Sequence, residues 1–253
     1  LKFENSGDLG EDSSGNNNDW TVNNSPVQST DTPTLNYATY NPLGGGTRGT
    51  LSNGNKKMTG SSVNGSGKVG SMAFPATGKY YMEFIPTYIQ LSGAATVGVT
   101  ITENLDPNAF NSRDNNNVVG YQDDGQKRVV STASAYGASW VANDVIGMTM
   151  NMDDGEVTFY KNNVSQGVAY TGLNSAYPNN TWTFYTTEGY GSQRSDFLIQ
   201  VADSELTYTP PAGYSTLSTA NLPTPAIADG SAYFQTTTYT GAGYPTEVNQ
   251  SGN

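Results

Sequence analysis

Any chemistry in this chain has to rest on carboxylates, on a Lys or Tyr base or on oxygen ligands to a metal, because the side chains that usually carry catalysis are missing. Its 253 residues include no His and no Cys. That removes imidazole acid–base catalysis, a Ser-His-Asp triad, an HExxH zinc site, thiolate nucleophiles and disulfides. What remains is a carboxylate pair, a Lys or Tyr base, or a metal held by oxygen ligands. A glycosidase needs two carboxylates about 5 to 9 Å apart across the scissile bond. On a strand, an E-x-D-x-E pattern would supply them, since side chains two apart share a face. No such stretch occurs. Asp123-Asp124 and Asp153-Asp154 are adjacent pairs in turn-like sequence, where neighbouring side chains diverge, and Asp203 and Glu205 sit at a strand end. Glu83 reads as a strand carboxylate satisfied by neighbouring donors or solvent. The expectation is a chain without catalytic residues, with a glycan depolymerase as the disfavoured alternative.

Two further sets of residues could bind. Asp8, Asp12, Asn16, Asn18 and Asp19 fall in GDLGEDSSGNNNDW and could offer oxygens to Ca2+, which takes about six to eight of them in flexible geometry. The same Asx and Gly residues also simply make turns, and no Glu stands at the twelfth position that an EF-hand requires. Both readings remain open at this point: no cofactor, or a Ca2+ site of a lectin-like module. The second set is Asn108, Tyr121, Asp123, Asp124, Tyr136, Trp140, Tyr190 and Arg194, drawn from the loops 104–117, 121–126, 134–140 and 189–194. Loops on a rigid scaffold commonly carry binding, and aromatic rings with polar tips give large contact area. The competing reading is that each ring packs under its own loop.

The elements that must position these residues are strands. Hydrophobic residues make up 35% and charged residues 13% of the chain, a composition poor in helix formers and suited to many short strands joined by turns. The clearest element is Asp144–Val164. Ile146, Met148, Met150 and Met152 alternate with polar or small residues, Asp153-Asp154-Gly155 supplies a turn, and Val157 and Phe159 then take one face opposite Thr158 and Tyr160. Further strands are expected over Tyr80–Ile85, Thr96–Ile101, Val118–Tyr121, Lys127–Thr132, Trp182–Thr186 and Asp196–Val201. Leu1, Phe3, Trp20 and Val22 are read as strand residues of the N-terminal segment, and Gly44-Gly45-Gly46 as a flexible break.

The formal net charge is −11 with a pI near 4.2. An acidic surface repels phosphate backbones and anionic membranes, so neither nucleic acid nor membrane insertion is expected. No apolar run is long enough to span a bilayer. A chain that opens at Leu1 is read as a segment of a longer polypeptide or a processed product.

Several spaced motifs carry a family resemblance. DVIGMTMNMDDGEVTFYKNNV at 144–164, GKYYMEF at 78–84, TVGVTI at 96–101 and GVAYTGL at 167–173 resemble the core of the SPRY (B30.2-like) domain, with Met82 where that family usually has Trp. The NFG expected near the last strand is absent. The resemblance implies an all-β, concanavalin A-like antiparallel sandwich whose binding surface is built from loops at one end. The 8–19 loop resembles one found in laminin-G-like domains. The flanks, LKFENSGDLGEDSSGNNNDWTVNN and YTPPAGYSTLSTANLPTPAI, resemble segments of tailed-phage virion proteins.

The organisation expected is a strand and loop segment at 1–45, in which the apolar residues of Thr32–Leu43 form an N-terminal strap on the sandwich, a SPRY-like sandwich at 46–212, and a Pro-rich linker with the start of a further element at 213–253. The function expected is that of a phage structural protein, in a tail fibre, spike or capsid-surface fibre, exposed on the virion. Its partners would be other virion proteins and a host surface glycan or protein receptor, in an oligomer such as a trimer. A Ca2+-dependent carbohydrate-binding module is the alternative.

Overall fold

A computed structural model describes residues 3, 5–24, 26, 28–29, 31–32, 34–46, 48–61, 67–93, 95–102, 118–129, 132–187, 193–224, 227, 230–234 and 236. The strands in chain order are β1 (Thr50–Ser52), β2 (Lys57–Thr59), β3 (Lys68–Val69), β4 (Lys79–Ile89), β5 (Thr96–Ile101), β6 (Val118–Gln122), β7 (Gln126–Val129) and β8 (Thr132–Ala135). They continue with β9 (Ile146–Asn151), β10 (Glu156–Lys161), β11 (Val164–Tyr170), β12 (Trp182–Thr187), β13 (Ser195–Gln200) and β14 (Ser215–Thr216). One short helix, Leu173–Ala176, lies between β11 and β12.

These strands form two sheets. The larger runs β1-β2-β13-β4-β9-β10-β11, and β14 pairs with β4 in parallel beyond the end of β13. The smaller runs β3-β12-β5-β6-β7-β8. All other pairings are antiparallel, so this is the expected concanavalin A-like sandwich. The alternation read in the sequence sets the register: Met148 faces Phe159 and Met82 across the ladder, and Met150 faces Val157 and Tyr80. Those side chains point inward and meet Val97, Val99, Val119, Tyr121 and Phe184 from the smaller sheet in one core. Met82 fills the usual Trp position inside that core, as an unbranched side chain can.

The contact pattern separates Leu1–Leu222 from Pro223–Asn253. In the first unit the residues outside the two sheets are structural. Ala38 and Tyr40 are fully buried, and Tyr40 bridges to Gly70. Ala38 N–H donates to Leu217 O at 3.1 Å, and Thr219 N–H donates to Asn36 O at 2.9 Å, so the segments 36–40 and 215–221 lie against each other. Gly44-Gly45-Gly46 is not the flexible break expected. It is buried against β3, where a Cβ on Gly44 would stand 2.7 Å from Val69 Cγ2 and Gly45 has φ +80°. Glycine is needed there for close approach. In the second unit Gly230–Ala232 makes one 3-10 turn, with the Tyr233 and Phe234 N–H groups donating to Gly230 O.

Phe3, Trp20 and Val22 lie outside any strand. Strand pairing needs a partner edge, and the only backbone bond of Trp20 in the described segment is its N–H to Gly10 O at 2.8 Å. Leu1 lies outside the described residues.

Candidate functional site: the loop end of the sandwich

Strand direction gathers several loops at one end. β4 ends at Ile89 opposite Ser195, the first residue of β13. β9 begins at Ile146 opposite Phe84 on one side and Lys161, the end of β10, on the other. In the smaller sheet Thr96 starts β5 opposite both Gln122 and Thr187. The segments 90–95, 123–125, 136–145 and 162–163 therefore meet at this end, and the segment from Thr187 to Ser195 joins strand ends there too. Ile101 and Val118, which flank Asn108, are at the other end of β5 and β6. Asn108 and Tyr190 themselves lie outside the described residues.

Polar groups pin these loops together. Asp123 is 1% exposed, and its carboxylate accepts Gly93 N–H on both oxygens at 3.0 Å and Ala95 N–H at 3.1 Å. Its backbone carbonyl accepts Trp140 N–H at 2.9 Å. Burial pushes the carboxyl up to about 6, against the lowering effect of those N–H donors. Asp124 instead accepts the Gln126 backbone N–H at 3.0 Å and side-chain amide at 2.9 Å. Tyr136 donates its hydroxyl to Gly167 O and accepts Phe159 N–H at 3.2 Å. Its phenol is pushed up to about 12, mainly by burial. Lys127 lies over the Tyr136 ring, 5.6 Å from its centroid. Asp144 accepts Val141 N–H at 2.9 Å and the Asn162 amide at 2.7 Å, and pairs with Lys161 at 3.3 Å. Burial raises that carboxyl, but the Val141 N–H, the Asn162 amide and the Lys161 ammonium together hold it below the usual value.

Tyr121 and Trp140 must be removed from the set of contact residues. Both are fully buried. Tyr121 donates to Ala138 O beneath the 136–140 loop, and Trp140 packs edge-on to Tyr121 and Phe197. The competing reading, rings packed under their own loops, applies to both. Asp123 is likewise inaccessible. Arg194 remains at the surface: it grips Asp196 through Nε at 2.8 Å and Nη2 at 2.5 Å, and lies 5.3 Å from the centroid of the Tyr88 ring.

Among exposed polar residues such as Gln90, Ser92, Asn143 and Asn163, the loop end also presents apolar side chains. Tyr88 (45% exposed), Leu91 (55%), Val141 (65%) and Val164 (65%) all belong to it. The Asn143 N–H donates to Pro86 O at 2.7 Å and the Asn162 N–H to Val145 O at 2.8 Å, which sets the 141–145 segment between the end of β4 and the β10–β11 turn. Tyr88 and Leu91, then Val141, then Val164 thus follow one another along the rim of the larger sheet. Sequence reading passed over these four. The available signal was an apolar residue inside a polar turn, as Leu91 stands before Ser92-Gly93.

The carboxylates that could have done chemistry are engaged elsewhere. Glu83, buried on the outer face of the larger sheet, accepts Tyr81 hydroxyl and Tyr208 N–H on Oε1, both at 2.9 Å, and Thr207 N–H on Oε2 at 2.7 Å. Burial, then the neighbouring Glu83 charge, raises the Tyr81 phenol so that it stays a donor. Asp153 accepts Gly78 N–H at 2.7 Å, Asp154 accepts the Asn151 amide at 2.7 Å, Asp203 accepts Thr216 hydroxyl at 3.1 Å, and Glu205 pairs with Lys56.

The 8–19 loop is built from Asx turns. Asp12 accepts Ser14 N–H and hydroxyl at 2.9 and 2.7 Å and Asn18 N–H at 3.1 Å, while Asp19 accepts Asp12 N–H at 2.8 Å and Asp8 accepts Gly10 N–H at 3.1 Å. Hydrogen bonds from Ser14 lower the Asp12 carboxyl. Asn16 donates to the Ser14 hydroxyl oxygen. Among the described residues no group of three or more His, Asp or Glu side chains could hold a metal ion. The oxygens of Asp8, Asp12 and Asp19 accept from their own loop, which favours the turn reading of Asp8, Asp12, Asn16, Asn18 and Asp19 over the metal reading.

Comparison with known proteins agrees with this architecture. Residues 79–187 match the SPRY domain, a span that opens on the first residue of β4 and closes on the last of β12. The E3 ubiquitin-protein ligase RKP of Arabidopsis thaliana is 48% identical over 46 residues, which are 18% of this chain and only 4% of that protein's length. The SPRY domain of human HERC1 aligns with a TM-score of 0.52 at 18% identity, covering 67% of this chain and 99% of that one. The PSpry domain of TRIM65 aligns at 0.48 with 17% identity, covering 65% and 92%.

Proposed function

We propose that this chain, whose residues 79–187 are a SPRY domain, is a non-enzymatic recognition module that holds its partner at the loop end of the sandwich. The observation that carries this is the set of exposed apolar side chains, Tyr88 near the end of β4, Leu91 and Val141 in loops and Val164 at the start of β11, with the loops held by hydrogen bonds to Asp123 and Asp144. Exposed apolar side chains gathered at one end of a polar surface can serve as a contact site, and loops already ordered lose less entropy on binding. With a formal charge of −11, the rest of the surface disfavours anionic partners, which leaves a protein segment or a neutral glycan as the fitting class. The test is capture of ligands from a random-peptide library and a glycan array. Leu91→Asp and Val141→Asp each abolish capture while leaving the melting temperature unchanged. Capture that survives both changes overturns the loop-end reading.

The finer proposal places this module on a tailed-phage virion, where it would bind other virion proteins or a host surface glycan or protein receptor. Its support is the resemblance of the flanking segments 1–43 and 208–243. Antibody against the chain is expected to decorate purified particles at the tail or capsid surface, and particles that lack the chain would remove this reading.

A further inference from the structure

We infer that Asn53-Gly54, in the turn between β1 and β2, is a site of self-modification, where the Gly54 nitrogen attacks Asn53 Cγ and position 53 ends as aspartate or isoaspartate. This goes beyond the loop-end reading and does not depend on it, because the turn lies toward the opposite end of the sandwich. Lys56 O accepts Ile199 N–H at 2.9 Å, near the end of β13 away from Ser195.

The sequence sets the reacting pair side by side, and the fold leaves both groups free. Asn53, Gly54 and Asn55 have φ of +55°, +62° and +61°, a left-handed run that Asn and Gly tolerate and other residues resist. Asn53 and Gly54 are both exposed. Among the described residues the Asn53 carboxamide makes no hydrogen bond and the Gly54 N–H has no acceptor. The turn closes instead through Lys56 N–H to Asn53 O at 3.2 Å. No atom stands within 4 Å of the place a Gly54 Cβ would take. The Asp-Gly pairs 124–125 and 154–155 could close the same ring, and the fold hinders both. Gly125 N–H is spent on Gln122 O at 3.0 Å, and Asp124 accepts from Gln126. Asp154 accepts the Asn151 amide at 2.7 Å, and a Cβ on Gly155 would stand 2.8 Å from the Leu173 nitrogen.

The reaction consumes water and releases ammonia. The Gly54 nitrogen loses its proton to solvent hydroxide and bonds to Asn53 Cγ. The Cγ–Nδ2 bond breaks, and ammonia leaves with a proton from water. Water then opens the succinimide at either carbonyl, giving aspartate or, with the main chain rerouted through Cβ and Cγ, isoaspartate. Asn53 and Gly54 line a polar cavity of about 240 Å3 together with Lys56 and Glu205, which form an ion pair. Either product therefore sets a second carboxylate beside that pair. Isoaspartate also lengthens the main chain next to Asn55, whose carbonyl accepts Tyr40 N–H at 2.9 Å, and so slackens the hold of the turn on the segment 36–40.

The full chain, kept folded at mildly alkaline pH, is digested with trypsin at intervals. The fragment 49–56 is followed by mass spectrometry for the mass gain of amide to acid, beside the same fragment incubated as a free peptide. Asn64-Gly65, outside the described residues, falls on another tryptic fragment. Conversion at Asn53 in the folded chain is expected to run within about tenfold of the free peptide. Gly54→Ala is expected to slow it by roughly tenfold or more, since a Cβ beside the attacking nitrogen misplaces the reacting atoms. Folded-chain conversion more than about tenfold slower than the peptide's overturns the inference. Faster hydrogen exchange at Tyr40 is expected in the isoaspartate fraction and not in Asn53→Asp, which adds the charge without lengthening the chain. Equal protection of Tyr40 in wild type, variant and isoaspartate fraction would overturn the slackened turn.

Discussion

Glu83 offers the sharpest test of whether the charged residue in the GKYYMEF strand is structural. Its carboxylate stands between three donors: Tyr81 hydroxyl and Tyr208 N–H on one oxygen, Thr207 N–H on the other. Glu83→Gln preserves volume and one acceptor oxygen. That oxygen can serve Tyr81 and Tyr208, but the new amide NH2 then faces the Thr207 N–H. One charge-assisted bond becomes a donor against a donor, and the other two lose their charge. We expect a loss of about 2–3 kcal/mol, a fall of roughly 5–10 °C in melting temperature for a unit of this size. Glu83→Ala removes every acceptor and leaves a void. Because Thr207 is exposed and Tyr208 half-buried, water can reach their N–H groups, and the buried Tyr81 hydroxyl is the donor left orphaned; the loss is about 3–4 kcal/mol. Differential scanning calorimetry gives the magnitudes, and amide exchange at 207 and 208 gives the location. A Gln variant within about 0.5 kcal/mol of wild type would refute the argument.

Asp123→Asn should flatten the pH dependence of stability. The folded carboxyl sits at about 6 against an ordinary value of 3.8, so the folded state binds the proton more tightly than the unfolded one. This group's contribution is therefore full below about pH 4 and lost as pH rises through about 6, a swing of about 3 kcal/mol; urea midpoints of wild type and variant that run parallel from pH 4 to 7 would refute it. Trimming the chain to residues 46–212 removes Ala38, Tyr40 and Leu217 from the core and should cost a large part of a typical stability of about 5–15 kcal/mol. Circular dichroism melting of that fragment beside residues 1–222 checks it, and equal melting temperatures would show the flanks to be dispensable. Millimolar Ca2+ and EDTA should give coincident melting curves, because the oxygens of Asp12 are occupied by their own loop; a midpoint that climbs with calcium, as mass action requires, would restore the metal site.

Much of the sandwich was legible because its core strands alternate. The inward sets Met148, Met150 and Val157, Phe159 appear in the sequence at a period of two, and the turn between them is written as Asp-Asp-Gly. β8 and β11 were not legible for the opposite reason. β8 is Thr-Ala-Ser-Ala with every residue exposed, and β11 carries the positive-φ Gly167 and exposed Val164 and Val168. β8 buries no residue and β11 only Ala169, so no periodicity marks them. The strap at 32–43 was legible from its apolar residues, but its partners were not, because Tyr40 and Ala38 pair with Gly70 and Leu217, which lie far away in the chain. The loop end was legible as loops but not as a surface. Aromatic size pointed to Tyr121 and Trp140, while the solvent-facing residues are smaller and scattered among polar neighbours.

The same misdirection runs through the carboxylates, and it has one physical cause. An acidic residue in a chain without His or Cys draws attention as a catalyst, yet a carboxylate is also the strongest acceptor available to backbone N–H groups that no strand can satisfy. Glu83 lies 124 residues from Thr207 and Asp123 lies 30 residues from Gly93; in each case the donors are the backbone of a segment that must lie against a sheet without joining its ladder. A sandwich with long connections has many such segments, and buried charge on strands and turn corners fastens them. Asp123 and Glu83 thus serve as internal fasteners, so substitutions that alter the proposed binding without altering stability should be found at Leu91 and Val141, and substitutions at Asp123 and Glu83 should change stability.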